Sequence, residues 1–102
     1  MELKKLSDIE IITTSNSKIN EVDFENLTFG NVFTDYMLVC DFENGAWQKP
    51  IITPYAPFLL DPSAKVFHYG QAIFEGMKAF KDNQDDVWLF RPDENFNRFN
   101  KS

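Results

Sequence analysis

The sequence predicts an α+β fold, a small antiparallel sheet carrying helices. Three observations predict it. Asn44-Gly45 stands between two apolar runs and is a strong signal for a two-residue hairpin. Residues 77–90 alternate and are broken by the polar stretch 82–86, which marks a second hairpin. Apolar side chains recur at helical spacing within 64–75, and Pro92 followed by Asp93 and Glu94 opens a further helix.

The elements follow in chain order. Ile9, Ile11 and Ile12 form a short β-branched cluster suited to an edge strand, and the polar run 13–18 reads as a loop. Tyr36 to Phe42 is aromatic and β-branched, long enough for a strand. Beyond the Asn-Gly turn, Trp47 and Pro50-Ile51-Ile52 return as its partner. Pro54 and Pro57 keep the next residues extended, and Phe58-Leu59-Leu60 reads as a short strand. Asp61 and Pro62 are suited to the N-cap and first position of a helix over 64–75, which Gly76 would end. Within it, Val66, Tyr69 and Ile73 fall on one stripe and Phe67 and Phe74 on another. Met77 to Lys81 and Val87 to Phe90 form the second hairpin. The last helix runs only about ten residues to Ser102, and an isolated helix of that length is marginal. The chain is therefore expected to be cut within this helix.

Composition limits the function. The 102 residues suffice for one domain with a modest core, and 43% hydrophobic with 25% charged residues is ordinary for a soluble domain. Eleven Phe read as a Phe-rich core, with some left to face a ligand or a missing segment. The net charge of -6 and the scattered basic residues disfavour nucleic acid. Cys40, the one cysteine, lies in an apolar run and is expected to be buried. One His and one Cys leave no metal site. Nothing reads as a signal peptide or a membrane span, so a cytoplasmic protein is expected. No generic phosphate, nucleophile or zinc motif occurs.

Three segments carry a resemblance. They are Phe29-Gly30-Asn31-Val32-Phe33-Thr34-Asp35-Tyr36-Met37, then Phe67-His68-Tyr69-Gly70-Gln71-Ala72-Ile73-Phe74-Glu75-Gly76-Met77-Lys78-Ala79-Phe80, then Leu89-Phe90-Arg91-Pro92-Asp93-Glu94-Asn95-Phe96-Asn97-Arg98. In order and spacing they resemble the opening domain of branched-chain amino-acid aminotransferases. The central motif also resembles the wider fold-type IV pyridoxal-phosphate enzymes. The likeness begins near residue 27, so residues 1–26 form an N-terminal extension or edge segment and 27–102 the aminotransferase domain, cut within its second helix.

The resemblance implies an L-leucine, L-isoleucine or L-valine aminotransferase using 2-oxoglutarate and pyridoxal 5'-phosphate, active as a homodimer without a nucleic-acid or membrane partner. It gives Arg98 to the cofactor phosphate, a role that suits a rigid guanidinium fork. Without it, Arg98 lies off the face of Phe96 and Phe99 and reads as a solvated arginine. It places Phe29, Tyr69 and Phe74 around the aliphatic side chain, where aromatic walls offer no hydrogen bond to a polar competitor; the plain reading of these residues is core packing. Glu75 and Gly76 belong to the motif as support, Glu75 as a structural acid and Gly76 for its backbone. His68 is taken as structural, since a lysine is the base in this family. That catalytic lysine lies beyond residue 102, and none of the eight lysines here stands in its place. The 102 residues alone are then expected to be inactive and to bind no cofactor. A D-amino-acid aminotransferase, an aminodeoxychorismate-lyase-like enzyme and a non-catalytic binding module stay open at this point.

Overall fold

A computed structural model describes residues 9–102. The reading of residues 1–26 as an extension therefore lies outside the described residues for 1–8. The chain divides after Phe58 into two compact units.

In the first unit, β1 (Glu10–Ile11), β5 (Ile51–Pro54) and β2 (Tyr36–Val39) form a three-stranded sheet in the order β1-β5-β2. β2 and β5 are antiparallel, with Leu38 opposite Ile52. β1 occupies the edge, as its sequence suggests, but runs parallel to β5, with Glu10 opposite Ile51. The sheet is thus mixed rather than antiparallel. A tight hairpin forces antiparallel pairing only on strands joined by a short turn, and β1 and β5 are far apart in sequence.

Between β2 and β5 the chain extends into β3 (Phe42–Glu43) and β4 (Ala46–Trp47). Asn44 and Gly45 turn it with φ of 54° and 78°, both positive as a type I′ hairpin requires. Phe42 meets Trp47 edge-on at 5.1 Å across this pair. Trp47 and Ile51 therefore fall in two strands, and the return expected of one is shared between β4 and β5. The Cys40 thiol is half-buried rather than buried and donates to the Gln48 carbonyl at 3.2 Å. Residues 14–18 are fastened to the sheet: the Thr14 amide donates to the Tyr36 hydroxyl at 2.9 Å, and the Ser17 hydroxyl and Lys18 amide donate to the Asp35 carboxylate at 2.6 and 2.9 Å. These bonds, that from Ser17 first, hold the Asp35 carboxyl below its usual range.

In the second unit the expected helix over 64–75 shrinks to α1 (Lys65–His68). Gly70 takes φ of 60°, the left-handed conformation that commonly ends helices. Gly76 ends nothing. Asp61 does not cap α1; it closes the preceding turn, accepting from the Ser63 amide at 2.8 Å and hydroxyl at 2.6 Å. No strand forms over Phe58-Leu59-Leu60. The second hairpin is present as β6 (Ala79–Lys81) and β7 (Val87–Leu89), with Phe80 opposite Trp88. Its turn closes on Asp82, whose carboxylate accepts from the Gln84 and Asp86 amides and the Trp88 indole at 2.8, 3.0 and 2.8 Å. α2 (Pro92–Lys101) begins on Pro92 with Asp93 and Glu94 in its first turn, where acids suit the positive end of a helix.

Among the described residues no side chain is buried. Apart from exposed Leu38, the apolar residues of β2 and β5 are half-covered. The Phe-rich core expected from composition is therefore not formed by these residues: of the Phe side chains, only Phe99 is half-covered and the rest are exposed.

Candidate functional site

Among the described residues, α2 carries a constellation in which several chemically active side chains converge. One helical turn separates Asn95 from Arg98, so both project on the same face. Opposite them stands Glu75, on the irregular stretch between α1 and β6. Arg98 donates to both Glu75 oxygens, from Nε to Oε2 at 2.8 Å and from its NH2 nitrogen to Oε1. Asn95 Nδ2 donates to Glu75 Oε1 at 3.0 Å and to the Gly76 carbonyl at 2.8 Å. The bidentate fork is the geometry that guanidinium and carboxylate favour. Coverage is lopsided: the Glu75 side chain is 11% exposed and that of Arg98 is 70% exposed. The acid is held inside the contact, and much of the arginine stays open to solvent.

A hollow of about 340 Å³ lies beside the pair, bordered by Glu94, Asn95, Asn97, Arg98 and Lys101. The Asn95 amide is spent on Glu75 and Gly76, so Arg98, Lys101 and Asn97 are the donors left to face the hollow, with the Glu94 carboxylate on its border; two cations against one acid leave a set that can take an anion such as a phosphate group. Lys101, which has no role in the sequence reading, shares this site. A larger hollow of about 680 Å³ in the first unit is bordered by Lys18, Phe33, Asp35 and Tyr55 among others. Residues 31–35 of the first resembling segment line it, but none of the candidate site residues does, so the smaller hollow is the better candidate on chemistry.

The remaining sequence candidates are distributed as follows. Phe29 lies in the first unit, before Gly30 in a turn closed by the Asn31 amide on the Thr28 carbonyl at 3.2 Å, and is fully exposed at 104%. Tyr69 follows α1 and is 79% exposed, and Phe74 is 89% exposed. Glu75, Gly76 and Arg98 are brought together; the three aromatic residues stand free in their own units. His68 lies beside Phe67, ring centroids 6.4 Å apart.

No family model matches the chain. Curated relatives do match. Branched-chain-amino-acid transaminase 1 of Bacillus subtilis is 57% identical over 81 residues, 78% of this chain and 23% of that protein. Branched-chain-amino-acid aminotransferase 2 of the same organism is 44% identical over 100 residues, 97% of this chain and 27% of its own length. The cytosolic branched-chain-amino-acid aminotransferase of Saccharomyces cerevisiae is 45% identical over 98 residues, 94% of this chain and 26% of its own length. The chain is a relative of the branched-chain-amino-acid aminotransferases. It spans about a quarter of the length of the curated relatives it matches. None of these relatives favours the lyase, D-amino-acid or binding-module readings. No helix among the described residues is long and apolar enough to cross a membrane.

Two residues of this segment escaped the sequence reading. Asn95 was part of a quoted motif without a role, although its spacing from Arg98 put the two on one helix face. Arg91 precedes Pro92 with φ of 46°, a left-handed backbone unusual for a non-glycine residue and disfavoured before proline. Its carbonyl accepts from the Glu94 amide at 3.1 Å, and its guanidinium meets Glu94 at 3.4 Å. No sequence signal marked it.

The bridge makes a pH prediction. Arg98, then Asn95, hold the Glu75 carboxyl down from the ordinary 4.5 to about 2, and Glu75 in turn raises Arg98. A carboxyl with a depressed folded-state pKa stabilises the fold above its unfolded value, and that contribution is lost as pH falls through the folded one. The bridge is therefore expected to contribute in full above pH 4.5 and to fade on the way down to about 2. Carbon NMR of the Glu75 carboxyl should titrate near 2. A midpoint at the ordinary 4.5 would show that the bridge does not persist in solution.

Proposed function

We propose that this chain is the N-terminal part of a pyridoxal-phosphate-dependent branched-chain amino-acid aminotransferase. In this reading the parent protein exchanges an amino group between L-leucine, L-isoleucine or L-valine and 2-oxoglutarate. The observation that carries it is the Arg98 site, a solvent-facing guanidinium already oriented by Glu75 and set in a hollow with Lys101. It lies in a chain 44–57% identical to aminotransferases of this name.

The residues present fit the phosphate of the cofactor. Arg98 spends two of its five N–H donors on Glu75 and keeps the others for an anion. Pyridoxal phosphate, when bound, supplies the electron sink for amino transfer. Arg98 anchors the phosphate end, with Lys101 adding positive charge beside it. Phe29, Tyr69 and Phe74 are assigned to the aliphatic side chain of the substrate; exposed aromatic faces bury such a group without rewarding a polar one. Glu75 and Gly76 support the site. The lysine that acts as base is assigned to the rest of the parent protein, outside residues 1–102. The same reading gives a fold-type IV domain over 27–102, a cytoplasmic homodimer, and small-molecule partners only.

Full-length protein carrying this chain should form glutamate from 2-oxoglutarate with L-leucine, L-isoleucine or L-valine as donor. D-alanine should not serve. Turnover with the D-amino acid and none with the three L-amino acids would move the chain to the D-amino-acid enzymes and overturn the reading.

A further inference from the structure

We propose that Glu75 is a positioning residue for Arg98, with Asn95 holding Glu75 in place, so that the arginine presents its free edge to the anion. The inference rests on the phosphate role given to Arg98 above. Arginine side chains carry much rotamer entropy, and an exposed one spends little time in any single geometry. Here both Glu75 oxygens accept from one edge of the guanidinium. With that edge fixed, the plane of the fork is fixed, and the remaining donors point away from the carboxylate. Glu75 is itself tied down. Asn95 spends both amide hydrogens on it and on the neighbouring Gly76 carbonyl, at 3.0 and 2.8 Å. Asn95 and Arg98 thus fasten one stretch, 75–76, to one face of α2. Glu75, 11% exposed beside an arginine 70% exposed, is placed as a support rather than as a solvent-facing partner.

Charge alone argues the opposite way. A carboxylate beside Arg98 lowers the local positive potential and repels a phosphate, although solvent and salt screen this at an exposed site. Glu75→Gln separates the two effects by sign. It keeps the volume and one acceptor but loses the charge and the two-oxygen grip. If charge dominates, the cofactor binds more tightly; if orientation dominates, it binds more weakly.

The test uses full-length protein carrying this chain, with pyridoxal 5'-phosphate as the probe. Dissociation constants come from cofactor fluorescence, and the phosphorus NMR resonance of the bound cofactor reports the phosphate environment. We expect Glu75→Gln to weaken binding about tenfold, the lower end of what outer partners of a ligand contribute, and to shift the phosphorus resonance. In an Arg98→Ala background the same change should cost nothing further. Asn95→Ala removes two hydrogen bonds, of which the one to Glu75 positions the acid; its loss should weaken binding about fivefold, the worth of one ordinary hydrogen bond, and it decides the matter if Glu75→Gln does not fold. Unchanged or tighter binding by Glu75→Gln, with Arg98→Ala still weakened, overturns the positioning role and leaves the role of Arg98 intact. An equal loss in both backgrounds also overturns it, since Glu75 would then act without Arg98. Parent-like binding by Arg98→Ala overturns the role of Arg98 and the positioning role with it.

Discussion

Arg98→Ala in the full-length protein is expected to weaken pyridoxal-phosphate binding on the order of 30- to 150-fold, the range for losing a bidentate, charge-assisted clamp on an anion. The substitution leaves the hollow in place, bordered by Glu94, Asn95, Asn97 and Lys101, and removes its strongest donor. It also leaves Glu75 with Asn95 as its remaining side-chain partner, so its carboxyl should move back up toward the ordinary 4.5. Arg98→Lys should recover only part of the affinity, because an ammonium cannot grip Glu75 with two nitrogens and face a phosphate at the same time. The control must avoid the site. Lys101 borders the same hollow, so Lys49, exposed in the first unit, is the fair comparison, and Lys49→Ala should leave binding unchanged. Equilibrium titration of cofactor-free protein, followed by cofactor fluorescence, reads all of these. Equal affinity for Arg98→Ala and the parent would reduce Arg98 to a solvated arginine paired with Glu75.

The second large effect concerns the 102 residues by themselves. Among the described residues no side chain is buried, and Phe29, Leu59 and Phe74 are nearly or fully exposed. Apolar surface of this kind marks sites that associate. Burial of apolar side chains is also the main favourable contribution to cooperative folding. The 102-residue chain is therefore expected to self-associate, to bind an apolar dye strongly, and to show no sigmoidal unfolding transition in urea. Sedimentation velocity over a range of concentrations, dye fluorescence and circular dichroism along a urea series check the three parts. A single monomeric boundary with a sharp transition and no dye signal would show that the exposed aromatics need no cover.

Much of this chain was legible in sequence because its signals are local. Asn44-Gly45 specifies its turn by the backbone angles those two residues tolerate, and the structure places both at positive φ. The polar stretch 82–86 joins β6 to β7 because Asp82 can satisfy the amides of its own turn. Pro92 opens α2 because its ring already holds a helical φ and its missing N–H was not needed there. The likeness to branched-chain aminotransferases, carried by three short segments, stands in the relatives as well.

Local signals failed where two of them competed. Helical spacing over 64–75 and a glycine at 76 suggested one long helix, yet Gly70 takes the left-handed conformation and stops it after His68. Periodicity cannot choose between two glycines, since each is tolerated within a helix and each can end one. Phe58-Leu59-Leu60 has strand composition, but a strand needs a neighbour, and no described strand pairs with these residues. The parallel direction of β1 was equally hidden, because residues forty apart are free to pair either way.

By itself, then, the sequence determined the α+β class, both hairpin turns, the start of α2 and the family to which the chain is related. The tertiary structure alone decided that Glu75, itself held by Asn95, grips Arg98, and that Lys101 shares its hollow. The reason is physical. A turn or a helix start is set by the backbone preferences of adjacent residues. A carboxylate 23 residues from its guanidinium meets it only because β6, β7 and the turn at Asp82 bring α2 back beside residues 75–76.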